Sequence, residues 1–504
     1  MLTQESIGLF RPGQTVTGET SKRPYVIERL LGQGGQGEVY EAAGPVGSMA
    51  VKWYYGRMAT PGQRLGLRRL VAMGPPSARF LWPVELVDSP ETPGFGYVMA
   101  LQPARFRGMS ALMRGREDVS IRTIARAGHL LADSFLQLHA KGLCYQDISF
   151  GNVMFDRESG EVLICDTDNV SVDGSEEGTI LGTPRFMAPE IVRGEARPSS
   201  KTDLYSLAVL LFQLLMVHHP LEGRRESSID CFDRAAMNHL YGEDPRFIFD
   251  PEDDTNAPDP GRHPNAIVNW RLYPSFIRDL FTRSFTAGIA DPEHGRVRES
   301  EWRAAMTRLG DLVAPCPRCG AERCFDSASG GAGGGGACWN PECRMAGWPP
   351  RLAVGGEVVV LAPGARLFPH HLEAGRLYEF DRALAEVAPH PELPDVWGLR
   401  NQSQRTWRAV NERGEPRTVG PGNTVRIADG VVSRFGDVEG IVWASASAAS
   451  RATGTSRASA GSAPRWPTPC AGLFPGMAKR SSRIRGGLPR CWAICARSGK
   501  PRST

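Results

Sequence analysis

The chain has 504 residues, of which 41% are hydrophobic and 23% charged, an ordinary globular composition with room for two to four domains. Its net charge of +4 comes from one end: residues 445–504 hold eleven Lys/Arg and no Asp or Glu, leaving 48 basic against 55 acidic residues, or −7, in 1–444. This balance gives no case for nucleic-acid binding outside the tail, and no segment reaches the roughly 18 unbroken apolar residues of a membrane span.

The opening "MLTQESIGLFRPGQ" lacks the basic patch and apolar core of a signal peptide, so the expectation is a soluble cytoplasmic protein whose eleven cysteines stay reduced or bind metal. Residues 25–101 read as strands broken by Gly and Pro: "YVIERLL", "GEVYEAA", "SMAVKWYY", "PVELVD" and "GYVMAL". One helix interrupts them at about 61–73, with Leu65, Leu67, Leu70 and Val71 partly on one face. From about 118 to 310 the pattern is mainly helical; Ile121, Ile124, Leu131, Phe135 and Leu138 stripe one helix that Gly142 ends. The run "LYSLAVLLFQLLMV" (204–217) is short enough to be a buried core helix. A strand-rich lobe followed by a helical lobe leaves a cleft, a usual place for a ligand.

Residues 315–348 place paired cysteines around "SGGAGGGGA", residues 352–444 read as β again, and 445–504 are Ala/Ser/Gly/Arg/Pro-rich and expected to be a disordered basic tail. The predicted class is α+β.

Within the first lobe, "LLGQGGQGEVYEAA" (30–43) spaces Gly32, Gly34 and Gly37 as G-x-G-x-x-G. In a dinucleotide fold the third glycine opens a helix, but here a strand-like run containing Val39 follows, so the loop joins two antiparallel strands with its amides over phosphates. Lys52 lies alone among apolar neighbours in "MAVKWYY". Then, in order, "YQDISFGN" sets Asp147 five residues before Asn152, "VLICDTDN" sets Asp166 at the end of an apolar strand, and "GTPRFMAPE" ends in Ala188-Pro189-Glu190.

This ordered set resembles the eukaryotic-like bacterial Ser/Thr protein kinases across residues 22–310, with an N-lobe at 22–101 and a C-lobe at 102–310. The resemblance implies ATP and Mg²⁺ (or Mn²⁺), with a protein hydroxyl as acceptor. It assigns the α/β-phosphates to Lys52, metal to Asp166 and Asn152, and the substrate hydroxyl to Asp147. Gly32, Gly34, Gly37 and Val39 would cover the nucleotide, Met99 would be the gatekeeper, and Ala100 and Leu101 would meet adenine. Thr183 matches the threonine beside the substrate site. Asp203 matches a buried aspartate that braces the catalytic loop, and Arg296 the late arginine that pairs with Glu190.

The pattern also departs from the family. No acidic residue lies between Lys52 and Glu85, so the helix glutamate that usually pairs with the lysine is missing, and Gln63 is the best-placed substitute. Tyr145-Gln146 stands for His-Arg, Ser149 for a lysine, and Asp166-Thr167-Asp168 for Asp-Phe-Gly. The expected function is Ser/Thr protein kinase; the alternative is a nucleotide-binding pseudokinase scaffold, and a third reading is a small-molecule kinase. Ser171, Ser175, Thr179 and Thr183 are candidate phosphoacceptors.

Cys316-x₂-Cys319 and Cys338-x₄-Cys343 suit tetrahedral structural Zn²⁺, with Cys324 as an extra candidate. Residues 397–443, with the Asn401-x-Ser403 turn, look like the second half of a forkhead-associated (FHA-like) β-sandwich. Kinase, zinc ribbon and this module in one chain resemble bacterial kinases associated with the tellurite-resistance protein TerY, which implies phosphatase and von Willebrand A-type partners. His370-His371 is expected to be structural, one ring packed and the other exposed on opposite faces of a strand.

Overall fold

A computed structural model describes residues 8–444 apart from 114–118, 175–181, 327–336, 344, 374, 377 and 394–395. The basic tail and the candidate acceptors Ser175 and Thr179 lie outside the described residues.

The strand-like segments of the first hundred residues pair antiparallel and close on themselves. Strands β1 (Thr15–Gly18), β2 (Pro24–Gln33), β3 (Gly37–Gly44), β4 (Gly47–Tyr54), β5 (Glu85–Asp88) and β6 (Gly96–Ala100) form a barrel in the order β1-β2-β3-β4-β6-β5. β1 was not anticipated from sequence, and its pairing with both β2 and β5 closes the barrel. Because side chains alternate along a strand, one face of these strands sends Val16, Ile27, Tyr40, Val51, Trp53 and Val98 inward. The other face of β4 and β6 sends Ala50, Tyr54, Tyr97 and Met99 against Leu67 of helix α1 (Pro61–Met73). Thr60 caps α1 by accepting from the Gln63 amide, and Pro61 suits its first turn.

The second lobe is built around the helix Ser200–Met216, whose residues from Thr202 to Met216 are all buried. An amphipathic neighbour, Ile121–Ala140, packs against it and against Glu299–Asp311. Among the described residues no helix is long and apolar enough to cross a membrane.

After Asp311 the chain forms a two-stranded pair, Val313–Pro315 with Glu322–Cys324, and then two antiparallel sheets of six and four strands between Arg351 and Trp443. Leu352, Leu367, Val387, Leu399, Trp407 and Phe435 fill the core these sheets share. The unit is docked on the back of the helical lobe. The Arg126 guanidinium lies 4.1 Å from the Phe380 ring centroid and that of Arg303 4.9 Å from Tyr378, while His371 Nε2 meets Asp311 Oδ2 at 3.1 Å. His370 and His371 therefore depart from expectation: they sit in a short helix, Pro369–Leu372, not a strand, and their rings are 4.0 Å apart. Consecutive helical residues lie about 100° apart, so both rings can face the same neighbour.

Candidate active site

β2 and β3 meet in a tight turn in which the Gly34 amide donates to the Gly37 carbonyl at 2.9 Å. Gly37 has a steric reason to be glycine: a Cβ there would lie 2.0 Å from the Trp53 carbonyl oxygen. At Gly32 and Gly34 a Cβ would meet almost nothing, so the turn has open space over the cleft. Gln36 from this turn reaches down to accept from Lys52 Nζ at 3.3 Å.

Lys52, on β4, is 5% exposed and its main partner is Asp168. Nζ donates to Asp168 Oδ1 and Oδ2, both at 2.9 Å, and to Asp166 Oδ1 at 3.3 Å. Burial pulls the Lys52 ammonium down, but Asp168 and Asp166 outweigh it and hold its pKa above the ordinary value. Tyr97 is register partner to Lys52 across β4 and β6, and Tyr54 lies two residues along on the same face. Both hydroxyls donate to Asp168, Tyr54 at 2.5 Å and Tyr97 at 3.2 Å. The Asp168 side chain has no exposed surface, and each of its oxygens accepts two bonds.

The expectation for Gln63 is corrected here. Its Nε2 donates to the Tyr54 hydroxyl at 3.2 Å, so it supports the support of Asp168 and does not take the glutamate's place at Lys52.

Asp166 precedes the turn Thr167–Asn169 with φ 50°, in the left-handed region, and its side chain is 47% exposed. Burial of part of the carboxyl raises its pKa, and Asp168 and Asp147 add to this against the pull of Lys52. Thr167 is fully buried and donates to the Leu81 carbonyl at 2.8 Å, a polar tether between the lobes.

Asp147 is held from two sides. Thr183 Oγ1 donates to its Oδ1 at 2.6 Å, and Asn152 Nδ2 donates to its Oδ2 at 3.0 Å and to its carbonyl at 2.9 Å. With its amide nitrogen so committed, Asn152 has Oδ1 as its ligand atom for a cation. Tyr145 is buried against Phe135 and donates to the Cys165 carbonyl, tying the loop to the strand that leads to Asp166. Gln146 donates to Ser171 Oγ at 2.6 Å, which occupies that candidate phosphoacceptor.

The brace expected of Asp203 is present: its carboxylate accepts from the amides of Tyr145 at 2.6 Å and Gln146 at 3.1 Å. Arg296 Nη2 donates to both Glu190 carboxylate oxygens, at 2.7 and 2.9 Å. His139 stands between Asp203 and Glu299, one ring nitrogen on each. Burial alone would lower the imidazole, but the two carboxylates outweigh it and raise its pKa to about 9. A histidine raised above its unfolded value of about 6.5 stabilises in full below that pH and loses the contribution as pH climbs through its folded value. The His139 contribution to unfolding free energy is therefore expected to fall by about 3 kcal/mol from about pH 6.5 to just above 9. Denaturant titrations should show this limb flattened in His139→Gln. His129 and His219 are lowered by burial to about 4, so their contribution is lost on the acid side, outside this window.

In the segment after the lobes, Cys316, Cys319, Cys338 and Cys343 place all four Sγ atoms within 4.8 Å of one another. Two of the separations, Cys316 to Cys343 and Cys319 to Cys338, are 3.6 Å. A disulfide needs about 2.05 Å, whereas four thiolates about 2.3 Å from a central zinc stand about 3.8 Å apart. The donor set and spacing fit Zn²⁺. Burial pushes the Cys316 thiol up, but the amides of Cys319 and Arg318 outweigh it and help hold it at about 6, whereas burial and the neighbouring cysteines push Cys338 up to about 12. Cys324 is not in the group: it pairs with Val313 and packs on the helical lobe.

Residues 25–257 match the family model for the protein kinase domain. The serine/threonine-protein kinase PknD of Chlamydia felis is 27% identical over 238 residues, which are 41% of this chain and 25% of that protein. Mouse protein kinase C delta type is 32% identical over 147 residues, 28% of this chain and 21% of that protein. CBL-interacting protein kinase 4 of rice is 33% identical over 127 residues, 24% and 27% of the two chains. The chain thus spans about a quarter of the length of these curated relatives. It contains a protein kinase domain of mixed helix and strand, and its relatives are serine/threonine kinases.

Proposed function

We propose that this chain is a protein serine/threonine kinase that transfers the γ-phosphoryl group of ATP to a protein hydroxyl, its own included. The observation that carries the reading is the Asp147 carboxylate, fixed by Thr183 and Asn152 within a cleft that also presents Lys52 and Asp166. A scaffold that only binds nucleotide has no use for a carboxylate so held, and the pseudokinase reading is the weaker for it.

In this reading Lys52 draws the α/β-phosphates by charge, and the turn of Gly32, Gly34 and Gly37, with Val39 behind it, lies over them. The backbone of Ala100 and Leu101 meets adenine. Asp166 and Asn152 hold Mg²⁺, which when bound neutralises charge on the phosphates. Asp147 accepts the proton of the attacking hydroxyl, and Thr183 keeps its carboxylate turned toward that hydroxyl. Little covalent chemistry is asked of the protein, so positioning and charge carry the rate.

The kinase unit is taken as 22–310. Residues 315–348 form a zinc ribbon, where Cys316, Cys319, Cys338 and Cys343 close a four-thiolate structural site. Residues 352–444 form an FHA-like sandwich in the manner of the TerY-associated kinases. These modules recruit partners, for which a phosphatase and a von Willebrand A-type protein are the candidates, in the cytoplasm.

The test is transfer from γ-labelled ATP to the chain itself and to a basic generic protein. Incorporation that needs Mg²⁺ or Mn²⁺ and appears on Ser or Thr supports the reading. Nucleotide binding without any incorporation overturns it.

A further inference from the structure

Asp168 stands where kinases carry the glycine of Asp-Phe-Gly, and the usual partner of Lys52 is absent from α1. Resting on the kinase reading above, we propose that Asp168 is the anchoring carboxylate of the catalytic lysine, a positioning residue that replaces the helix glutamate and frees lysine placement from α1.

Three observations support this. The carboxylate receives Lys52 symmetrically, at 2.9 Å on each oxygen, while Asp166 is farther at 3.3 Å and 47% exposed. Asp168 is also prepared for the task. Tyr54 and Tyr97 occupy its remaining acceptor positions, so the buried charge is neutralised by one ammonium and oriented by two hydroxyls. Finally, α1 contributes only an amide, Gln63, one hydroxyl removed from the carboxylate.

The consequence is mechanical. A lysine paired to a helix loses its partner when that helix swings away. Here the partner follows Asp166 by two residues in one short turn, so the lysine and the metal-binding segment are tied directly across the lobes. With the ion pair independent of α1, the helix cannot switch activity by carrying the counter-ion in and out.

The test is a set of variants read by ATP KM, kcat and affinity for a fluorescent ATP analogue. Asp168→Asn is expected to lower kcat/KM for ATP by about 10²-fold, the cost of misplacing a reacting group, whereas Gln63→Ala changes it only a few-fold. Gln63→Glu puts a carboxylate beside Tyr54. It stands one hydroxyl short of Lys52 and is expected to be neutral or harmful, through repulsion by Asp168. In a Lys52→Ala background Asp168→Asn should cost little more nucleotide affinity, because the two act as a pair.

Full additivity of those two losses, or an unchanged kcat/KM in Asp168→Asn, overturns the proposal. If Asp168→Asn does not fold, Tyr54→Phe reads the same chain of contacts and should lower kcat/KM several-fold; no change there also overturns it. Should the wild type transfer no phosphate, the kinase reading fails. The coupling of Lys52 and Asp168 is then still decided by affinity for the analogue.

Discussion

Asp147→Ala is expected to lower phosphoryl transfer by about 10²–10⁴-fold, the range for loss of a positioned acid–base group. ATP affinity and unfolding free energy should stay near wild type. Asp147 and Lys52 have different hydrogen-bond partners. Its carboxylate is bonded to Thr183 and Asn152, neither of which belongs to the glycine turn or to β4, where Lys52 lies. Removing it frees the Thr183 hydroxyl but leaves Asn152 Nδ2 its bond to the Asp147 carbonyl, so Asn152 stays in place and the structural cost is small. Thr183→Ala should reproduce part of the loss through kcat and leave KM for ATP alone, because it only orients the carboxylate. The measurement is steady-state transfer with saturating ATP, alongside an ATP-analogue titration. If Asp147→Ala keeps full transfer, the carboxylate is not the base and the proposed chemistry fails at its centre.

Much of this cleft was legible in the sequence because its parts sit in short local patterns. The spacing from Asp147 to Asn152, the apolar strand ending at Asp166 and the glycines at 32, 34 and 37 each set a local geometry, and the turn, strand and loop formed where they were expected. Helices at 61–73 and 121–140 also formed as their apolar spacing implied. Asp203 and Arg296 were placed by resemblance, and their hydrogen bonds agree with it.

Asp168 was not legible, and the reason is distance along the chain. Its contacts run 116 residues to Lys52, 114 to Tyr54 and 71 to Tyr97, and no periodicity encodes a pair of that kind. The available signal was compositional: a lysine in an apolar strand, no acid before Glu85, and one aspartate more than the metal-binding motif requires. A buried ammonium needs an anion, so that surplus carboxylate was the candidate, while Gln63 could offer only a dipole. The missed β1 has a similar cause. Four residues, "TVTG", carry too little alternation to stand out, and they become a strand because β2 and β5 present open edges on either side.

Replacing Cys316 and Cys319 together by serine is expected to abolish zinc binding, about one ion per chain in the wild type, and to unfold the two cysteine turns at 316–320 and 338–343. The size of the effect follows from how little else holds these turns. Beyond the cysteines themselves, the cluster they form includes only Ala321 as a packed apolar neighbour. A unit this small cannot bury enough surface to fold by itself, and structural zinc contributes about 10–16 kcal/mol in comparable sites. The chain around the turns is better provided for: Leu312 and Ala314 pack with Val360 and Ala362, Phe325 and Trp348 pack against these, and Cys324 packs on the helical lobe. Loss of the metal should therefore open the ribbon to proteolysis while the lobes keep their stability and transfer activity. Metal analysis, limited proteolysis and a transfer assay on one preparation separate these outcomes. Unchanged zinc content in the double variant would show that the four thiolates do not form the site. Lost zinc together with lost transfer would mean that the ribbon is coupled to the cleft, through the bond from Glu322 to the Ile121 amide at the start of the helix that carries His139.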